Sequence, residues 1–114
     1  MATVPAGQHL HIGLLLFPQL DQLDFTGPFE VLSRTPNATL HIVWKDTAPV
    51  KDMMGLILTP TISLADCPQL DAVLVPGGFG QQALMEDQEV LGFLQRQARG
   101  ARYVCSVCTG SLVL

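Results

Sequence analysis

An α/β domain, a parallel sheet covered by helices on both faces, is the fold class that this sequence predicts. Three observations carry the prediction. Residues 9–17 and 71–75 are strand-length apolar runs without the polar alternation of a half-exposed strand, as expected for strands buried on both faces. Between the second run and a third strand at residues 102–107 lies a helical apolar stripe, and strands alternating with helical patterns imply a parallel sheet. With 114 residues, 48% hydrophobic and 14% charged, the chain has material for one core and no room for a second.

The elements follow in order. Residues 1–8 are a loose leader, and the first strand, 9–17, is stopped by Pro18. Thr26, Gly27 and Pro28 predict a helix start, because proline is tolerated in the first turn, and the helix should run to about Arg34. Pro36 and Asn37 break it, and the β-branched and aromatic run TLHIVWK, residues 39–45, is the second strand. Residues 50–59 read as a strand or a hairpin around Gly55, and residues 71–75 as a short buried strand closed by Pro76. Val90, Leu91, Phe93, Leu94 and Ala98 share a helical face, with Glu86 and Asp87 ahead of them and Arg96 and Arg99 near the end, as the helix dipole favours. Gly100 is the expected stop. After the last strand, Thr109-Gly110-Ser111 opens a new helix only one turn before the chain ends at Leu114, so the fold is expected to be truncated and the chain alone to be poorly stable and poorly active.

Several function classes are disfavoured. The net charge is −4 and no Lys/Arg cluster is present, which argues against nucleic acid and against an anionic membrane surface. The longest apolar stretch is too short to span a bilayer and no signal peptide is evident, so a cytoplasmic location is the expectation. Cys67, Cys105 and Cys108 are too few and too irregularly spaced for a disulfide framework.

Binding sites in such folds lie at the carboxyl ends of the strands, where the sequence puts Asp24, the Gly77-Gly78-Phe79-Gly80 run and Cys108. Strand, Cys108, Thr109, Gly110, helix is the layout of a nucleophile elbow, and a helix N-terminus stabilises thiolate over thiol. A structural cysteine ending a strand fits the spacing equally well. Cys105-x-x-Cys108 also has redox or zinc spacing, but no further ligands are placed to complete a zinc site, so Cys105 and Cys67 are read as packing residues. The glycine run, without a following Gly-Lys-Ser/Thr, is either a tight connection or an oxyanion pocket lined by the Gly77 and Gly78 backbone. Asp24 is either a helix-capping carboxylate or, if it faces Cys108, a proton donor, since a carboxyl group beside a thiolate is pushed towards its protonated form. His9, His11 and His41 are read as structural, with no metal.

GLLLFPQLDQLDFTGPFEVL (13–32), DAVLVPGGFG (71–80) and YVCSVCTGSLVL (103–114) together resemble the ThiJ/PfpI superfamily, covering about the first half of a typical member. The resemblance implies a flavodoxin-like fold of the class I glutamine-amidotransferase-like type. Within the superfamily, the Asp24 loop, LHIVWKDTAPV (40–50) and VCTGS are most similar to the isonitrile-hydrating branch. This implies conversion of an isonitrile and water to an N-substituted formamide, with Cys108 as nucleophile, Asp24 as its acid/base partner, Thr109 bordering the site and Gly77-Gly78 in the pocket wall. No metal or organic cofactor is implied, and a homodimer is. Thr109, where peptidase-like and deglycase-like members tend to carry histidine, and Asp24, where many relatives carry glutamate, argue against those activities. Competing readings are the ligand-sensing domain of an AraC-type transcription regulator and a cysteine oxidation sensor.

Overall fold

The computed structural model describes residues 8–107. Its elements are β1 (Leu10–Leu15), α1 (Leu23–Leu32), β2 (Ala38–Trp44), β3 (Val50–Lys51), β4 (Ile57–Leu58), β5 (Ile62–Ser63), β6 (Ala72–Val75), α2 (Gln81–Met85), α3 (Gln88–Gly100) and β7 (Tyr103–Ser106). Among the described residues one parallel sheet has the strand order β5-β2-β1-β6-β7, and β3 and β4 form a separate antiparallel hairpin. This is the predicted α/β architecture.

The chain leaves β1 towards β2 and β5, then returns to the other side of β1 for β6 and β7. Right-handed crossovers in opposite directions set α1 on one face of the sheet and α3 on the other. The central strand is therefore covered twice. Leu14, Leu15, Leu16 and Phe17 are each at most 1% exposed, which is why residues 14–17 show no polar alternation. Leu20, Phe25, Val50, Val75, Leu84, Val90, Phe93 and Leu94 belong to the same core.

The first helix begins at Leu23, three residues before the expected start at Thr26, and Pro28 lies inside it. The early start is nucleated by backbone: the Asp24 N–H donates to the Asp21 carbonyl (3.1 Å), and those of Phe25 and Thr26 to that of Gln22 (3.1 and 2.7 Å). Pro28 then forgoes a single bond in the second turn. The hairpin expected around Gly55 is present, with Gly55 at φ +96°. Two elements went unread, α2 and β5. Each is too short to display a period, and β5 exists through pairing with β2.

The α3 stripe ends at Gly100, but the helix closes with Ala101 in extended backbone (ψ 144°). Gly100 instead lets Gln69 pack closely. The buried Gln97 side chain tethers this end of α3, accepting from the Leu70 N–H (2.8 Å) and donating to the Pro68 carbonyl (2.9 Å).

The other end is capped by Asp87. Its Oδ1 accepts from the backbone N–H groups of Glu89 (3.1 Å) and Val90 (3.3 Å), and its Oδ2 meets Lys45 Nζ at 2.5 Å. The Lys45 hydrogen bond, helped by the two backbone donors, holds the Asp87 carboxyl below the usual carboxylate range. Asp87→Ala is expected to cost about 1 kcal/mol, the usual value of an N-cap. Because the folded pKa is depressed, the charge-dependent part of that difference is present above the unfolded carboxylate pKa of about 3.9 and is lost as pH falls through the folded value. Urea midpoints of wild type and Asp87→Ala should thus differ at pH 7 and converge below about pH 4; a gap independent of pH would refute the charge component.

Candidate active site

The order in which the chain adds strands reverses between the parallel neighbours β1 and β6, and the carboxyl ends of these strands form the crevice where ligands bind in open α/β sheets. Each strand there leads into a loop that the sequence singles out as a candidate. After β1 come residues 16–22 and then Asp24; after β6 come Gly77 and Gly78.

The two loops are joined by backbone. The Asp21 N–H donates to the Gly77 carbonyl (2.8 Å), the Gly80 N–H to the Gln19 carbonyl (3.0 Å), and Leu20 and Gly78 form an antiparallel bridge. On its other edge the same segment meets the hairpin. The Gln19 N–H donates to the Lys51 carbonyl (3.0 Å), and the Met53 N–H to the Leu20 carbonyl (2.9 Å). Residues 19–21 are thus the middle ply of three, with Gln19 in the left-handed region at φ +65°. Gly78, at φ +133°, sits against this ply, where a Cβ would run into the backbone of Leu20 and Asp21.

Asp24 lies in the first turn of α1 and does not cap it. The N-cap is Gln22, which makes no side-chain cap bond, and the Leu23 N–H is met instead by Asp21 Oδ1 (3.3 Å). Asp24 Oδ2 is buried and has no hydrogen-bond partner among the described residues. The capping reading therefore fails on geometry. A buried carboxylate oxygen without a local partner is costly to fold, and such an atom calls for a role outside the helix.

Cys108 and Thr109 lie outside the described residues. The backbone leading to Cys108 does not: β7 pairs with β6 through Val75↔Ser106, and the Val107 N–H donates to the Val75 carbonyl at 3.0 Å. The strand before Cys108 and the strand before Gly77 end side by side.

The other cysteines are set apart. Cys67 is half-buried, its thiol donates to the Pro68 carbonyl (3.4 Å), and burial pushes its pKa up to about 11. Cys105 is exposed on β7 and borders an apolar cavity of about 280 Å³ between the end of α1 and strands β6 and β7. Cys67 is expected to be the slowest thiol towards iodoacetamide at pH 7.5, less than about 1% of it being thiolate there; site-resolved mass spectrometry that found it alkylated first would contradict this.

The histidines gather at the opposite, amino end of the strands. His11 Nδ1 and His41 Nε2 are 2.9 Å apart, and His9 Nε2 is 2.7 Å from Thr39 Oγ1. Burial, then the neighbouring His11, lowers the His41 pKa. Among the described residues no group of three or more His, Cys, Asp or Glu is placed to hold a metal ion, and no helix is long and apolar enough to cross a membrane.

Sequence reading missed Asp52, at 3% exposure the one buried charged side chain among the described residues. Its Oδ1 accepts from the N–H groups of Met54 (2.9 Å) and Leu56 (2.7 Å). The signal was available in the spacing Asp52-x-x-Gly55, an aspartate able to bond the backbone two residues on.

Known proteins resemble this chain in sequence and fold. The chain is 57% identical over 105 residues to the isonitrile hydratase of Pseudomonas putida, which spans 92% of this chain and 46% of that protein. It is 43% identical over 74 residues to the HTH-type transcriptional regulator GbdR of Pseudomonas aeruginosa, covering 65% of this chain and 20% of the regulator. The crystal structure of a ThiJ/PfpI family protein from Pseudomonas syringae superposes with a TM-score of 0.90 at 31% identity, over 99% of this chain and 51% of that one. The chain thus spans about half the length of the hydratase and of the P. syringae protein. Residues 11–114 match the DJ-1/PfpI family, and with a fold and a sequence that agree on it, this chain belongs to that family.

Proposed function

We propose that the protein containing this chain hydrates an isonitrile to an N-substituted formamide by covalent catalysis through Cys108. The observation that carries the reading is the buried, locally unpartnered Asp24 Oδ2 at the switch point, in a chain that is 57% identical to an isonitrile hydratase.

The Cys108 thiolate attacks the terminal carbon of R–N≡C, forming the C–S bond, while Asp24 gives its proton to that carbon to yield a thioimidate. Water then adds to the same carbon and returns one proton to Asp24, now a base. The C–S bond breaks, thiolate leaves, and the second water proton ends on nitrogen. Thiolate and Asp24 finish as they began, and no metal or organic cofactor takes part. Thr109 borders the reacting atoms, and the Gly77-Gly78 backbone contributes to the pocket wall. The reading places the enzyme in the cytoplasm as a homodimer, with a small isonitrile as its partner and neither nucleic acid nor membrane.

The test is release of formamide from an aryl isonitrile by protein expressed from the whole reading frame. Turnover is expected, with kcat lowered by about 10²- to 10⁴-fold in Asp24→Asn, the range of a general acid/base. No turnover by wild type whose Cys108 still reacts with alkylating agents would move the reading to a sensing domain of the kind that the regulator similarity suggests.

A further inference from the structure

We infer that Asp52 is a positioning residue for the reacting centre: from inside the β3–β4 hairpin it holds the three-ply backbone clamp that sets Asp24 and Gly78 in place. The inference rests on the hydratase reading for the reaction it serves.

The chain of contacts is continuous. Asp52 Oδ1 binds the N–H groups of Met54 and Leu56, and its own backbone N–H donates to the Leu56 carbonyl (2.9 Å). The Gly55 N–H donates to the Asp52 carbonyl (3.2 Å). One side chain thus shapes the tip of a hairpin whose strands are only two residues each, too short to be stable by their own ladder. The residues on either side of Asp52 are the ones that grip the middle ply, Lys51 by its carbonyl and Met53 by its N–H. Gln19 and Leu20 alternate between the two neighbours, Gln19 N–H and Leu20 carbonyl to the hairpin, Gln19 carbonyl to Gly80. Asp24 follows Leu20 by four residues, its N–H on the Asp21 carbonyl.

The tip itself has no core to hold it: Met54 is 84% exposed and Leu56 and Ile57 are also exposed, while Asp52 is buried beneath them. The hairpin is anchored at its base by Val50 in the core and Leu58 packed against it, while its tip is held by the carboxylate and its edge by the clamp. Loosening the hairpin releases one edge of residues 19–21, and misplacing a catalytic group by about 1 Å can cost on the order of 100-fold in rate.

Asp52→Ala removes the acceptor, whereas Asp52→Asn keeps a neutral one, weaker than a carboxylate by about half. Two readouts are taken on the full protein: amide hydrogen exchange at Gln19, Asp21, Met53 and Gly80, and steady-state kinetics with an aryl isonitrile, normalised to folded protein. Expected is exchange at these amides faster by about tenfold or more in Asp52→Ala, with kcat lower by about 10- to 100-fold and KM changed by less than about threefold. Asp52→Asn should lie between Ala and wild type in both. A residue that merely stabilises the fold would lower the melting temperature and leave kcat per folded molecule unchanged, and that outcome overturns the inference. So does clamp exchange that stays at the wild-type rate. If Asp52→Ala does not fold, Asp52→Asn decides, since its exchange and kcat must still move together. Wild type without turnover overturns the hydratase reading instead, and positioning is then judged by exchange together with the Cys108 alkylation rate, which must shift in the same order of variants.

Discussion

Cys108→Ala is expected to lower kcat for an aryl isonitrile by at least about 10⁴-fold in the full protein, the largest effect of any single substitution here. The size follows from the route. An isonitrile carbon resists water near neutral pH, and the thiolate supplies the attack that water performs poorly. Without it, no thioimidate forms for Asp24 to protonate or hydrolyse, and only substrate binding remains. Groups that act as one unit fail together, so Asp24→Asn added to Cys108→Ala should lower the rate no further than Cys108→Ala alone. Losses that multiply in the double variant would mean that Asp24 and Cys108 work in separate steps or separate places. A Cys108→Ala enzyme within tenfold of wild type would remove covalent catalysis from the account altogether.

Much of the frame that presents these groups was legible because it rests on local chemistry. Residues 14–17 are apolar without alternation because the central strand is covered on both faces. The α3 stripe was readable from its spacing, and the Gly55 hairpin from its turn residue. The start of α1 was misplaced because Pro28 usually marks a first turn, whereas here the Asp21 and Gln22 carbonyls begin the helix earlier. That shift decides how Asp24 is understood: a residue just before a helix is a natural cap, while one inside the first turn with a buried, unpartnered oxygen is not.

The backbone pairings of the clamp had no signature in the sequence. Its bonds run between backbones 32 to 61 residues apart in sequence, from Gln19 with Lys51 to Gln19 with Gly80, and side-chain types do not encode such pairings. Only its two special positions leave a trace, Asp52 ahead of a glycine and the double glycine after Pro76. Cys108 and Thr109 are assigned only from the strand-to-helix pattern and by resemblance, and they lie outside the described residues.

Gly78→Ala is expected to destabilise the protein by about 3 kcal/mol or more, since a left-handed backbone position for a non-glycine residue costs about 1–3 kcal/mol and a steric conflict adds to it. Gly78 has φ +133°, and the new Cβ would lie 2.6 Å from Cα and carbonyl carbon of Leu20. Relief by movement is barred on both sides. Leu20 is fully buried, its carbonyl is held by Met53, and Asp21 is held by Gly77. The conflict can be resolved only by opening the Leu20–Gly78 bridge, which parts the Asp24 loop from the glycine turn, so stability and turnover should fall together. Gly27→Ala is the control: it lies within α1, and outside its chain neighbours and the helix's own backbone nothing lies within 4 Å of a built Cβ, so the gain in helix propensity and the crowding of the new Cβ against the following Pro28 oppose each other and stability should change by less than about 1 kcal/mol. Urea midpoints distinguish the two. A Gly78→Ala protein within about 1 kcal/mol of wild type would mean that the turn yields more easily than its contacts imply, and that the glycine there serves the pocket rather than the clamp.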